Sequence, residues 1–182
     1  MWATSTTLCG TSNARRASDS PGLSAMADLA LTGAEREFLR ALRELGVGYL
    51  IVGLGAAVLQ GADTVTADID IWFQDRSDPR IAEAAKKVGG VWVPGHFGMM
   101  PPMLGGTLED RFDVVTTMSG LDDFAMEAAR TKTVVVDGEP LPVLPLDRVI
   151  HSKRAAARAK DLAVLPALEA ALAASVANLD EG

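Results

Sequence analysis

One stretch constrains the fold more than any other, because it sets two acidic residues into an apolar strand pattern: YLIVGLGAAVLQGADTVTADIDIWF, residues 49–73. It begins as an apolar run of strand length and breaks at Gly53. An Ala-rich segment then leads to Gly61, after which apolar and polar residues alternate. This order predicts a strand, a glycine turn, a short helix and a second strand.

Asp68 and Asp70 fall on one side of the predicted second strand. Side chains alternate between the two faces of a strand, so these carboxylates point the same way, about 7 Å apart. Neighbouring carboxylates repel each other, and a bound divalent metal reverses that cost. The pair therefore indicates Mg²⁺ or Mn²⁺. A strand that simply leaves both residues in water is the alternative, which the low frequency of Asp in strands disfavours.

Gly53 and Gly55 stand where the first strand turns into the helix. Backbone N–H groups and the helix dipole at such a turn can hold phosphate oxygens. The pattern also fits a plain tight turn, since Val58 takes the place of the third glycine of the dinucleotide-binding pattern GxGxxG. On these residues alone, both interpretations stand.

Together these residues resemble the nucleotidyltransferases of the DNA polymerase beta superfamily, in particular the minimal nucleotidyltransferases of the abortive-infection toxin type. Their pattern, GGxAxxxxGxxRxTxDxD, is matched here by Gly53, Ala56, Gly61, Thr66, Asp68 and Asp70. Leu54 stands in place of the second glycine, and Thr64 in place of the arginine. The resemblance implies an α+β nucleotidyltransferase fold, with a mixed central sheet flanked by helices and a C-terminal helical segment.

Positive charge is concentrated near the C-terminus, although the whole chain has a net charge of -7. No acidic residue lies between Asp147 and Asp161. The same segment contains five basic residues, Arg148, Lys153, Arg154, Arg158 and Lys160. In one straight helix these side chains would point to more than one face, and such a run usually marks a solvated surface. We expect Pro166 to kink or split the helix.

The same segment matches a second pattern of the toxin-like nucleotidyltransferases, sKxxxxRxKDl. Its positions are filled by Ser152, Lys153, Arg158, Lys160, Asp161 and Leu162. The resemblance implies that the basic residues offset the charge of a nucleotide. Asp161, three residues after Arg158, is expected to orient that neighbour.

The segment RFDVV, residues 111–115, predicts a third strand in which Asp113 has apolar neighbours. By the resemblance, Asp113 completes a carboxylate triad with Asp68 and Asp70. Glu109 and Asp110 are the competing choices, but their position favours a turn before the strand.

The resemblance implies transfer of a nucleoside monophosphate from an NTP to an acceptor hydroxyl, with Mg²⁺ or Mn²⁺ as cofactor. The catalytic and metal-binding residues would be Asp68, Asp70 and Asp113. The nucleotide would be bound by Gly53, Gly55, Thr66, Lys153, Arg158 and Lys160.

By the same resemblance, the acceptor would be tRNA, a protein or a small molecule, and a toxin would have an antitoxin protein as partner. The alternative is a non-catalytic protein that kept the fold and binds a nucleotide or a partner. That alternative is motivated by the departures from the pattern at Leu54 and Thr64.

The length of 182 residues and the hydrophobic content of 48% suit one globular domain. We expect this domain at residues 28–178, with its helical C-terminal part at about 146–178. Residues 1–27 lack hydrophobic periodicity and are predicted to be a disordered tail. A chain whose lone cysteine is Cys9 has no internal disulfide, which fits the cytoplasm. The apolar run at residues 49–59 is too short to span a membrane, so we expect no membrane contact.

The remaining elements follow from local signals. Thr32 and Glu35 form a capping-box pattern that starts a helix ending at Gly46. Asp78 and Pro79 start another helix, and residues 121–129 predict a short one. Two further expectations are an irregular, Met-rich loop at residues 94–106 and a hairpin at residues 133–144 around Asp137-Gly138.

Overall fold

The computed structural model describes residues 29–96 and 100–180. The predicted disordered tail, residues 1–27, and Cys9 lie outside the described residues. The elements are α1 Gly33–Glu44, β1 Tyr49–Val52, α2 Gly53–Leu59, β2 Ile69–Phe73, α3 Pro79–Lys87, β3 Gly90–Val93, β4 Met103–Gly106, β5 Phe112–Val115, α4 Phe124–Ala128, β6 Lys132–Val136, β7 Glu139–Val143, α5 Leu146–Ala156 and α6 Ala159–Asp180.

Five strands form the main sheet, in the order β5-β2-β1-β7-β6. The pairs β1–β2 and β6–β7 are antiparallel, whereas β1–β7 and β2–β5 are parallel. Strands β3 and β4 form a separate antiparallel pair. This mixed sheet with flanking helices and a C-terminal helical segment confirms the predicted α+β class.

Strand alternation sends side chains to two faces of the main sheet, and both faces carry buried apolar residues. On one face, Phe112 of β5 lies beside Ile69 of β2 and packs edge-on against Phe38 of α1, with ring centroids 5.3 Å apart. Trp72 of β2 points the other way and packs against Phe124 of α4. Because side chains alternate along β2, Asp70 points to the side of Trp72, away from α1.

Two local predictions are confirmed in detail. Helix α1 begins with the predicted capping box, in which Glu35 N donates to Thr32 Oγ1 and Thr32 N donates to the Glu35 carboxylate. Strands β6 and β7 form the predicted hairpin, and its turn residues Asp137 and Gly138 both have positive φ, as a two-residue hairpin turn requires.

The predicted loop at residues 94–106 is wrong at its end, where Met103–Gly106 form β4. This strand has no alternating pattern, because two of its four residues are glycines. It forms because it pairs with β3 and buries Leu104, which is 1% exposed. The predicted helix at 121–129 starts later, at Phe124, because Asp123 caps it by accepting a hydrogen bond from Met126 N at 3.0 Å.

The C-terminal segment is two helices, and the break lies at Ala157 and Arg158 rather than at Pro166. Ala157 ends α5 in the left-handed conformation, with φ of 51°. Pro166 lies inside α6 and removes a helical hydrogen bond without ending the helix. The sequence gives no local sign of this break, since alanine seldom adopts positive φ.

One helix in the described part of the chain is long and apolar enough to cross a membrane, judged by length and composition alone. This is the Ala159–Asn178 part of α6, with a mean hydropathy of 1.3. The expectation of no membrane contact rested on the short apolar run at residues 49–59, and this helix is longer and as apolar as a membrane span. Two features link the start of α6 to the rest of the fold, because Asp161 in its first turn is 1% exposed and is ion-paired with Lys153 of α5.

Candidate active site

Asp70 and Asp113 lie side by side on neighbouring strands. Strands β2 and β5 run parallel, and their register places Asp70 opposite Asp113. Adjacent strands lie about 4.8 Å apart, so the two side chains leave the same face of the sheet as close neighbours. Asp68 immediately precedes β2 and lines the same cavity as the other two. The three predicted carboxylates thus line one cavity.

Gly53 leaves the space that Asp70 occupies. Strand β1 pairs with β2 so that Val52 lies opposite Asp70, and Gly53 follows directly. A Cβ atom on Gly53 would overlap Asp70 Oδ2 and lie 2.8 Å from Asp70 Cγ, and its φ of +62° also favours glycine. The sequence suggested a phosphate contact for Gly53, but gave no sign of this packing against the carboxylate.

Three basic side chains face the carboxylates because the chain turns at Ala157. Lys153 lies in the last turn of α5, Arg158 in the connection and Lys160 in the first turn of α6. All three line the cavity that the carboxylates line. One straight helix would have spread them over different faces, and the break between the helices brings them to one site.

Asp161 ties two of these cations together. Its carboxylate accepts hydrogen bonds from Lys153 Nζ at 2.9 Å and from Arg158 Nε at 2.5 Å. The hydrogen bond from Arg158 lowers the pKa of Asp161 to about 2, against the opposing effect of burial, and Lys153 adds to the lowering. The expected contact with Arg158 is present, and the contact with Lys153 is a further one.

The other two arginines of the basic segment are paired elsewhere. Arg148 binds Glu127, which is 0% exposed. Arg154 forms an exposed ion pair with Glu169 at 2.7 Å. These pairs explain why only part of the basic run reaches the cavity.

The resulting cavity has a volume of about 610 Å³. Of the residues that the sequence assigns to the site, those lining the cavity are Gly53, Thr66, Asp68, Asp70, Asp113, Lys153, Arg158 and Lys160. Gly55 instead lies buried in α2, where a Cβ atom would be 3.5 Å from the backbone oxygen of Asp68. This separation is an ordinary van der Waals contact, so the space around Gly55 would also admit a Cβ atom.

Part of the cavity wall is formed by residues after β5 that the sequence did not indicate. Thr117, Met118 and Ser119 line the cavity. Thr117 follows Asp113 at a spacing of four residues, so continued strand alternation from Asp113 through Val115 was the signal that could have found it.

Of the two departures from the family pattern, one reaches the cavity. The side chain of Leu54 is partly exposed and lines the wall. Thr64 lies in the connection between α2 and β2, and its N–H donates to Ala62 O at 2.9 Å. The departure at Leu54 therefore changes the surface offered to a ligand.

The charged form of Asp70 is disfavoured in this site, and a nearby cation would offset that effect. Burial raises the pKa of Asp70 to about 6, Lys153 opposes this rise, and Asp113 and Asp68 add to it. A partly buried carboxylate with two carboxylate neighbours is stabilised in its charged form by any nearby positive charge. Either basic side chains or a metal ion can supply that charge.

The donor atoms suit Mg²⁺ or Mn²⁺, which prefer carboxylate oxygens. Within residues 29–96 and 100–180, no group of three His, Cys, Asp or Glu side chains is close enough to hold a metal ion by itself. Mg²⁺ is usually bound through one or two carboxylates together with substrate phosphates. The carboxylates therefore suit a Mg²⁺ or Mn²⁺ ion that a bound ligand also coordinates, and they do not form a complete metal site by themselves.

No protein-family model matches the chain, and no curated protein matches it either. Its fold is similar to that of ANT(2″)-Ia, whose crystal structure in complex with adenylyl-2″-tobramycin has a TM-score of 0.51 and 15% sequence identity, covering 79% of this chain and 90% of that chain. The solution structure of the same antibiotic-resistance factor has a TM-score of 0.52 and 16% identity, covering 81% of this chain and 94% of that chain.

A third structure, an antigenic nucleotidyltransferase-like protein from Paracoccidioides brasiliensis, has a TM-score of 0.43 and 14% identity, covering 90% of each chain. Sequence identities this low show the fold alone. The chain thus shares the α+β fold of the two ANT(2″)-Ia structures.

Proposed function

We propose that the protein is a metal-dependent nucleotidyltransferase, which moves an NMP from an NTP to an acceptor hydroxyl. The observation that carries the proposal is the pair Asp70 and Asp113, adjacent on parallel strands and facing Lys153 across one cavity. Carboxylates on one wall and cations on the other suit a metal-bound triphosphate. The cavity volume of about 610 Å³ is in the range of small-ligand sites.

In this proposal, Asp68 and Asp70 hold the divalent cation together with the triphosphate. The cation, when bound, offsets the negative charge of the phosphates and makes the α-phosphorus a better electrophile. Lys153, Arg158 and Lys160 add positive charge on the opposite wall. Gly53 and Thr66 lie on the carboxylate side, where they can contact phosphate oxygens.

Asp113 is exposed at the cavity and is the group proposed to take the acceptor proton. The acceptor hydroxyl oxygen forms a bond to the α-phosphorus, and the bond from that phosphorus to the pyrophosphate oxygen breaks. The hydroxyl proton passes to the Asp113 carboxylate and then to water. The products are the nucleotidylated acceptor and pyrophosphate.

The finer assignments rest on the sequence patterns and on the structural neighbour. The complex of ANT(2″)-Ia with adenylyl-2″-tobramycin supports ATP as the NTP and a small molecule among the acceptors. The match to the toxin-type pattern supports a toxin with an antitoxin partner, and the lone Cys9 supports the cytoplasm as its compartment.

The test is to incubate the protein with Mg²⁺, each NTP labelled at the α-phosphate, and total tRNA, a protein extract or tobramycin in turn. We expect label on one acceptor class with the wild type, and at least about a 100-fold loss with Asp68→Asn or Asp70→Asn. Asp63→Asn, an exposed change in the loop before Asp68, is the matched control and keeps full activity.

The alternative function is nucleotide binding without transfer, favoured by the Leu54 side chain on the cavity wall. NTP binding is measured by calorimetry on the same variants. If NTP binding depends on Asp70 and no acceptor is labelled, the protein is a nucleotide-binding protein and not an enzyme. If the wild type neither binds NTP nor labels any acceptor, both functions are contradicted.

A further inference from the structure

Asp68 differs from the other two carboxylates of the site in how its backbone is held. Asp70 and Asp113 lie within β2 and β5, and the pairing of these strands fixes their positions. Asp68 lies one residue before β2, at the end of the connection from α2, and it is exposed. Thr66 Oγ1 accepts a hydrogen bond from Asp68 N, but this contact is long, at 3.3 Å. Strand pairing therefore does not hold Asp68 directly.

Arg111 contacts the backbone on both sides of Asp68. Its main-chain oxygen accepts a hydrogen bond from Ile69 N at 2.7 Å, one residue after Asp68. Its side chain reaches the other side, where Nη1 donates to the backbone oxygen of Ala67. Arg111 itself directly precedes β5, the strand that carries Asp113. One residue thus joins the start of β5 to the two residues that flank Asp68.

The guanidinium of Arg111 is held in turn by the start of α1. Its Nη2 donates to the backbone oxygen of Ala30 at 3.3 Å, and its Nε lies 3.7 Å from a carboxylate oxygen of Glu35. The Glu35 carboxylate is fixed by the capping box of α1, because it accepts a hydrogen bond from Thr32 N at 2.9 Å. A guanidinium is planar and has donors at both ends, so it can bridge Ala30 and Ala67 while it stays beside Glu35.

The ion pair with Glu35 does not by itself account for this arrangement. Its separation of 3.7 Å is too long for a hydrogen bond. The hydrogen bonds that the described residues provide to the guanidinium go to two backbone carbonyl oxygens, and one of these belongs to the residue before Asp68. Groups that orient a metal ligand without touching the metal change metal affinity or activity by about 10–100-fold when they are lost. Arg111 has the position of such a group toward Asp68.

We propose that Arg111 is a positioning residue for Asp68, and that its hold on the backbone sets the affinity of the site for its divalent cation. The inference rests on the proposed nucleotidyl transfer. Arg111 is not among the described residues that line the active-site cavity, so it acts through Asp68 rather than on the cation or the nucleotide. Loss of the guanidinium frees the backbone at Ala67 and Asp68, and the Asp68 carboxylate is then less often placed to bind the cation.

The test compares Arg111→Met with Arg40→Met. Each substitution removes an arginine from a glutamate that is 6% exposed, since Arg111 lies beside Glu35 and Arg40 donates to Glu139 at 2.8 Å. Arg40 lies in α1, outside the described residues that line the active-site cavity. Binding of Mn²⁺ is measured by electron paramagnetic resonance with the unreactive analogue α,β-methylene-ATP present. The Mg²⁺ concentration for half-maximal transfer and the stability in urea are measured on the same proteins.

We expect Arg111→Met to weaken Mn²⁺ binding and to raise the half-maximal Mg²⁺ concentration, each by at least about tenfold, with kcat restored at high Mg²⁺. Arg40→Met should lose comparable stability and keep the metal dependence of the wild type. Arg111→Lys is the second variant, in case Arg111→Met does not fold. Lysine keeps a positive charge beside Glu35, but its compact ammonium does not bridge Ala30 and Ala67. It should recover most of the stability and only part of the metal affinity.

Three results would overturn the proposal or separate it from the transferase. If the Arg111 variants bind Mn²⁺ as tightly as the wild type, Arg111 only joins α1 to the sheet, and the positioning role is wrong while the transferase stands. An equal loss of metal affinity in Arg40→Met would also overturn the role, because general destabilisation would then be the cause. If the wild type binds Mn²⁺ through Asp68, as shown by loss of binding in Asp68→Asn, but labels no acceptor, the transferase is wrong. The Mn²⁺ affinities of the Arg111 variants then still decide the positioning role.

Discussion

The carboxylate of Asp70 fills the space that a side chain at Gly53 would occupy. Gly53→Ala should therefore displace Asp70 and abolish transfer, and should also lower the free energy of unfolding. Gly61→Ala is the matched control, because Gly61 also has positive φ, at +91°, but has nothing within 4 Å of its added Cβ atom. We expect the control to lose about 1–2 kcal/mol of stability and to keep its activity. Urea unfolding measures the stability of the two variants, and the transfer assay measures their activity. A Gly53→Ala protein that keeps its activity would contradict the role given to the contact between Gly53 and Asp70.

Asp70 should make the metal-free protein less stable as the pH rises. Burial raises its folded-state pKa from 3.8 to about 6, so the folded protein binds more protons than the unfolded chain between these values. Stability is therefore lost as pH rises from about 4 through 6, by about 2–3 kcal/mol at most.

The Asp70→Asn variant tests this sign. In the presence of a chelator it should be more stable than the wild type at pH 8, and the difference should shrink as the pH falls toward 4. Mg²⁺ with NTP should stabilise the wild type and leave the variant unchanged. Thermal unfolding of both proteins across this pH range measures the difference. If the wild type is more stable than Asp70→Asn at pH 8 without metal, the predicted sign is wrong.

Asp161 should act on the nucleotide through Lys153 and Arg158. The hydrogen bond from Arg158 lowers its pKa to about 2, so its contribution to stability is full above about pH 4 and is lost as pH falls toward 2. At neutral pH, Asp161→Asn should cost about 1–3 kcal/mol. It should also raise KM for NTP several-fold with less change in kcat, because both cations lose the group that orients them.

The control for Asp161 is Asp147→Asn, an exposed position in the first turn of α5. Its stability and KM should stay near those of the wild type. Equal effects of the two substitutions would show that Asp161 does not position the cations.

Ala157→Gly should stabilise the protein by about 1 kcal/mol, since Ala157 has φ of 51° and glycine adopts this conformation without strain. Ala155→Gly, two residues earlier in α5 and exposed, should destabilise by a similar amount because glycine is a poor helix former. Equilibrium unfolding in urea compares them. Destabilisation by both substitutions would mean that α5 continues through Ala157 in solution.

The sequence predicted the parts of the fold that depend on local chemistry. Strand alternation around Asp68 and Asp70, the capping box at Thr32, and the Asp137-Gly138 turn each have a physical cause within a few residues. The pairing of Asp113 with Asp70 came from resemblance to a family, because strand order is set by tertiary packing that a single sequence does not display.

The features that escaped prediction depend on contacts between distant residues. Strand β4 exists because it pairs with β3 and buries Leu104. The convergence of Lys153 and Lys160 depends on one alanine with positive φ, a conformation that no local pattern indicates. The role of Gly53 beside Asp70 requires knowing that Val52 lies opposite that residue.

The assignment of the site is tested most directly by comparing the Asp113→Asn and Asp110→Asn variants. For each variant, pyrophosphate release is measured together with transfer of label from α-labelled NTP. Both positions are exposed and lie three residues apart, but only Asp113 lies beside Asp70 on the sheet. We predict that Asp113→Asn binds NTP and loses transfer at least about 100-fold, whereas Asp110→Asn behaves as the wild type. Equal activity of Asp113→Asn and the wild type, or pyrophosphate release that depends on Asp110 instead, would contradict the assignment of this site.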